Sequence, residues 1–139
     1  MDESLKHKAA LYSPLSLAYI GDSVYDLKVK EYYVKKVNKQ VEKYHKEVSN
    51  VVRAISQAEF VDLHEEDSFF TDAEIDILHR GRNASVHTKA KNATMAQYKK
   101  ATGLEAVIGY LYLSEQHERI EEIMQEIIRY FEEKASEQK

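Results

Sequence analysis

The chain has 139 residues, of which 43% are hydrophobic and 32% charged, with a formal net charge of −4; this composition fits one globular domain and excludes a disordered chain. It contains no cysteine, which excludes a disulfide scaffold, a thiolate zinc site, an iron–sulfur cluster and a cysteine nucleophile. The longest apolar run, eight residues from Ala106 to Leu113, is far short of the ~20 a membrane span needs, and the N-terminal MDESLKHKAA has no secretory leader pattern, so the expected location is the cytoplasm.

Four glycines and one proline are too few for the tight turns of an all-β fold. Ser13-Pro14 reads as an N-cap followed by proline at the first helical position. A long helix is predicted over 14–36, with Gly21 inside it. Glycine there costs ~1 kcal/mol relative to alanine, so a packing reason is expected. A second helix is predicted over about 43–65, from Val48, Val51, Val52, Ile55, Ala58, Phe60, Val61 and Leu63. Thr71 with Glu74 forms a capping box that opens a third helix, ending near Gly81. Residues 82–91 carry little periodicity and read as an exposed basic loop. A short helix is predicted over 92–100, another over 102–115 and a last one over about 117–135. That last helix places Ile120, Ile123, Met124, Ile127, Ile128 and Phe131 on one face. The predicted architecture is all-α, a single bundle of about six helices.

Charge is distributed in blocks. Eight acids and no Lys or Arg fall between Glu59 and Asp76, whereas six Lys/Arg and no acid fall between His79 and Lys100. A second basic stretch, Lys28 to Arg53, carries eight Lys/Arg against three acids. A local basic surface can bind phosphate although the whole chain is acidic, and the alternative is a solvated polar loop.

Two helical segments are unusual for a core. Leu17 to Val24 places Asp22 beside Gly21 in an apolar stretch, and Leu104 to Leu111 places Glu105 in an apolar run with Gly109 one turn later. Ala18, Gly21, Ala106 and Gly109 are small enough to let helix axes approach closely. Packed together, those faces bring Asp22 and Glu105 into one place, where two buried like charges need a cation between them. For paired carboxylates that cation is Mg²⁺ or Mn²⁺. The alternative is that each acid sits at a helix edge and meets water or an arginine. The six histidines show no paired ligand spacing, and no Gly-rich phosphate loop or GxSxG occurs.

Leu17–Tyr25 (LAYIGDSVY) resembles the signature helix of the ribonuclease III family, whose pattern is close to LEFLGDAVL. Glu105–Leu113 (EAVIGYLYL) resembles the family's second motif, close to DxxEALIGAIYLD. Arg80-Gly81-Arg82-Asn83-Ala84 and the basic stretch after it resemble the short mini-ribonuclease III subfamily. The resemblance covers nearly the whole chain and implies one ribonuclease III endonuclease-like domain over 1–139, with an ordered core of about 10–135. A double-stranded-RNA-binding domain of ~50 residues or more has no room.

On that resemblance the signature aspartate is Asp22 and the second-motif glutamate is Glu105. Two further family carboxylates fall on Ala18 and Thr102 and are missing, a departure that the short subfamily also shows. Asp26, one turn beyond Asp22, is a candidate substitute. The resemblance implies a Mg²⁺-dependent endoribonuclease (Mn²⁺ as the other option) that cuts double-stranded RNA and leaves a 5′-phosphate and a 3′-hydroxyl. Asp22 and Glu105 are then both catalytic residues and metal ligands. Arg80, Arg82, Asn83, Lys89 and Lys91 contact RNA. A homodimer and a role in ribosomal RNA maturation, on the large-subunit precursor, are implied as well. The missing carboxylates leave a second reading open, a non-catalytic RNA-binding ribosome-assembly protein on the same fold. A helical adaptor without RNA would leave the acid-free basic stretch unexplained.

Overall fold

The structure is a computed structural model and describes residues 3–84 and 93–137. Those residues form seven α-helices and one 3₁₀ turn, with no strand among them: α1 Glu3–Ala10, α2 Pro14–Lys36, the turn Val41–Lys43, α3 His45–Val52, α4 Ala54–His64, α5 Asp72–Ala84, α6 Met95–Leu113 and α7 His117–Glu137. None is long and apolar enough to cross a membrane. α2 has the predicted bounds, and the Ser13 hydroxyl accepts from the backbone N–H of Ser16 at 3.1 Å, satisfying one of the free donors of its first turn.

The predicted helix over 43–65 is broken at Arg53, whose ψ of 154° is extended. The last carbonyls of α3 are taken by side chains instead of by a continuing helix. Asn50 O accepts from the Ser56 hydroxyl at 2.5 Å, Val51 O from the Tyr25 hydroxyl at 3.0 Å and Val52 O from Gln57 Nε2 at 2.9 Å. Three satisfied carbonyls remove the need for the next helical turn.

The helices predicted over 92–100 and 102–115 are one helix, α6, opened by a capping box in which Thr94 and Gln97 exchange hydrogen bonds. Gly103 does not end a helix. It marks close packing, since a Cβ on it would lie 2.6 Å from the Leu78 carbonyl of α5. Gly81 faces the same crossing and likewise does not end α5, which runs on to Ala84. Arg82, Asn83 and Ala84 are therefore helical, and the remainder of the expected basic loop, 85–91, lies outside the described residues. α1 lies outside the helices predicted from the sequence.

α6 is buried almost all round, from Ala101 to Leu104 and from Ala106 to Leu111, and packs against α1, α2, α4, α5 and α7. A helix apolar on every face belongs at the centre. α7 covers one side with the predicted stripe Ile120, Ile123, Met124, Ile127, Ile128 and Phe131, all buried. The Thr71–Glu74 capping box forms as expected. Glu74, only 2% exposed, also receives two hydrogen bonds of 2.9 Å from Arg119, which fastens the start of α5 to α7.

The charge blocks face one another. Arg82 pairs with Glu65 at 2.7 Å, and Lys100 with Asp62 at 2.5 Å. Part of the basic stretch is thus neutralised within the fold.

Candidate active site

α2 and α6 cross backbone to backbone. A Cβ on Gly21 would lie 1.7 Å from the Glu105 carbonyl oxygen, and one on Gly109 would lie 1.9 Å from the Leu17 carbonyl oxygen. Both glycines are therefore required by the approach, which is the packing reason expected for Gly21. Ala18 on α2 and Ala106 on α6 are buried as well, and Ala106 packs toward Gly81 of α5.

The crossing brings the Asp22 and Glu105 carboxyls close enough to act on one another. Asp22 lies on the solvent side, and Glu105 is largely enclosed. Burial pushes the Glu105 carboxyl up to about 8, helped by the charges of Asp22 and Asp26; Gln57 acts in the opposite sense. Burial and then the Asp22 charge also raise Asp26, while Lys30 lowers it. Tyr25, buried beneath the site, is pushed well up by burial and by the charges of Glu105 and Asp26.

Sequence reasoning missed Gln57. Its Nε2 donates to Glu105 Oε2 at 3.1 Å as well as to Val52 O, and only 1% of the residue is exposed. The available signal was its position on α4, where it precedes Phe60, Val61 and His64 on the buried face.

The residues fit a hard divalent cation. The crossing sets two carboxyl groups at one place, and carboxylate oxygens are the donors Mg²⁺ and Mn²⁺ take. Gln57 Oε1 is buried with no hydrogen-bond partner among the described residues. Among the described residues no cluster of three or more His, Cys, Asp or Glu forms that could hold a metal. The residues that could hold such an ion are the pair Asp22 and Glu105, with Asp26 close enough for its charge to be felt at Glu105. Ala18 and Thr102, where the family pattern has carboxylates, are both buried, and the Thr102 hydroxyl donates to Tyr98 O at 3.0 Å.

Of the expected RNA-contacting residues, Arg80, Arg82 and Asn83 lie near the C-terminal end of α5. Arg80 donates one N–H to Ala10 O at 3.1 Å and Arg82 one to Glu65 at 2.7 Å. Each guanidinium carries five N–H donors, so further ones remain. Asn83 is exposed. Lys89 and Lys91 lie outside the described residues.

Comparison with known proteins agrees with this geometry. The Ribonuclease III domain profile matches residues 15–116. A Mini-ribonuclease 3 of Staphylococcus aureus is 44% identical over 92% of this chain and 96% of its own length. A Mini-ribonuclease 3 of Clostridium tetani is 42% identical over 96% of this chain and 88% of its own. A crystal structure of a protein from Fusobacterium nucleatum, 31% identical, superposes with a TM-score of 0.77 over 86% of this chain and 95% of that one. The profile, the relatives and a glycine crossing that joins the two motif carboxylates lead to one conclusion: the chain belongs to the ribonuclease III family of endoribonucleases, in its mini-ribonuclease III branch.

Proposed function

We propose that this chain, acting as one catalytic domain, is a Mg²⁺-dependent endoribonuclease that cuts double-stranded RNA in the cytoplasm, on the large-subunit ribosomal RNA precursor. The observation that carries the reading is the half-buried Glu105 set beside Asp22 at the α2–α6 crossing. Asp22 and Glu105 would hold the cation. When bound, Mg²⁺ supplies polarisation of the scissile phosphate and a lowered pKa for the attacking water.

The chain's own residues do the rest. The crossing fixes the two carboxylates before substrate arrives, so little reorganisation is needed. The chemistry is hydrolysis in which a water oxygen bonds to phosphorus. The 3′ oxygen departs with its electron pair and takes a proton, leaving a 5′-phosphate and a 3′-hydroxyl. Arg80, Arg82, Asn83, Lys89 and Lys91 would hold phosphates and 2′-hydroxyls, reading the shape of the duplex.

A homodimer is part of the proposal. Leu11, Tyr12, Leu15 and Tyr19 are exposed around the start of α2, and Tyr19 is 83% exposed. A cluster of large apolar side chains open to water favours burial against a second copy. Tyr19 precedes Asp22 by one helical turn, so the partner would sit beside the site.

The test is incubation of purified protein with a long RNA duplex, with Mg²⁺ and with EDTA. Cleavage with Mg²⁺, none with EDTA and 5′-phosphate ends on the products are expected. Binding without cleavage in Mg²⁺ would replace this reading with the non-catalytic one.

A further inference from the structure

We propose that Gln57 is a positioning residue for Glu105, a neutral clamp that fixes the plane of the carboxylate and ties it to the α3–α4 break. The proposal rests on the reading of Asp22 and Glu105 as the metal pair.

A buried carboxamide among apolar neighbours needs both amide hydrogens satisfied. Here one goes to Val52 O at 2.9 Å and the other to Glu105 Oε2 at 3.1 Å. The flipped orientation would set the amide oxygen against two acceptors, a carbonyl and a carboxylate, so the chemistry selects the observed one. With both donors committed to groups on different elements, the amide plane is fixed. Oε2 of Glu105 is fixed with it, and the carboxylate loses its terminal torsional freedom.

The break at Arg53 is what makes this possible. In a continuous helix Val52 O would accept from a backbone N–H four residues on. The extended Arg53 leaves that carbonyl free, and Gln57 uses it as a second anchor. The same break receives the hydroxyl of Tyr25, from one turn beyond Gly21 on α2. The helix break and the α2–α6 crossing thus form one frame around Glu105.

Charge explains why the clamp is an amide. A lysine or arginine in its place would hold Glu105 but repel an incoming cation. An acid would add to the repulsion already present between Asp22 and Glu105. A neutral donor orients a ligand without competing for the metal, and loss of such partners weakens metal affinity by about 10- to 100-fold.

The experiment measures Mn²⁺ binding to RNA-free protein by the loss of the free-ion EPR signal, for wild type, Gln57→Leu, Gln57→Met and Glu105→Gln. Wild type should bind, Glu105→Gln should not, and both Gln57 variants should bind about 10- to 100-fold more weakly. Their KM for duplex RNA should stay at the wild-type value, and their lost kcat should return as Mn²⁺ is raised. A purely structural role would lower the melting temperature and leave the Mn²⁺ affinity of folded protein unchanged. To keep the test independent of how well either variant folds, the wild-type Gln57 side-chain amide is also followed by NMR. Slow proton exchange and a saturable shift with Mg²⁺ are expected; rapid exchange with no shift overturns the proposal. Folded Gln57 variants with wild-type Mn²⁺ affinity overturn it too. Wild type that takes up no Mn²⁺, or Glu105→Gln that takes up as much, overturns the metal-pair reading instead.

Discussion

A carboxylate that must ionise to hold a cation loses stability by being buried, and Glu105 is enclosed beside Asp22. Glu105→Gln keeps the shape, still accepts from Gln57 and removes the buried acid. In EDTA at pH 7 it should be more stable than wild type, by on the order of 2 kcal/mol, while duplex cleavage is lost. Paired melting curves and cleavage assays check this; a variant less stable than wild type in EDTA would mean Glu105 is not under electrostatic strain. Asp22 and Glu105 were legible in the sequence because each stands alone in an apolar helical run beside small residues. Gln57 was not, because one polar residue preceding Phe60, Val61 and His64 looks like an ordinary helix position until the partner carboxylate is in place. Arg80 and Arg82 were legible as basic residues, but their internal bonds to Ala10 and Glu65 come from elements distant in sequence.

At the scale of elements, the decisive contact is the α2–α6 crossing. Gly21→Ala places a methyl 1.7 Å from the Glu105 carbonyl oxygen, a backbone atom that cannot step aside. The helices must separate, at more than the ~1–3 kcal/mol typical of overpacking. The separation also parts Asp22 from Glu105, so the variant should lose activity more steeply than stability accounts for. Cleavage measured well below the melting point of the variant separates the two losses; full activity there would show that the crossing does not set the site. α2 was readable because its cap, proline and apolar pattern agree. The break at Arg53 was not, because it is produced by Tyr25, Ser56 and Gln57 capturing carbonyls, a tertiary event. The joining of the two predicted helices into α6 has the same origin, since Ala101 to Leu104 are buried in the fold and Gly103 packs closely on α5.

For the whole molecule, two properties can be tested apart from the chemistry. Tyr19→Lys places a charge in the exposed apolar cluster and should shift the protein from dimer to monomer in analytical ultracentrifugation. The protomer should keep its melting behaviour at low concentration, as Tyr19 makes little contact with its own core. A wild type that sediments as a monomer would remove the dimer from the proposal. Neutralising Arg80, Arg82, Lys89 and Lys91 together should weaken duplex binding and flatten its dependence on salt. Each phosphate contact adds about 0.9 to the log–log slope for B-form DNA, and A-form RNA should follow in kind. Cleavage at saturating RNA should stay near normal. An unchanged slope would move the RNA to the basic stretch from Lys28 to Arg53.

The glycine crossing has a consequence for how such a protein can change over generations. The gap between the two carboxylates is set by peptide groups touching peptide groups, so no core side chain acts as its spacer. Leu17, Leu104 and Ile108, all fully buried, can be exchanged for other aliphatics of similar volume at a modest cost of under ~1.5 kcal/mol each. The core can therefore drift, and with it thermal tolerance, while the gauge of the site stays constant. Selection on stability and selection on cleavage act on largely separate sets of positions, and Gly21, Gly109 and Glu105 belong to both.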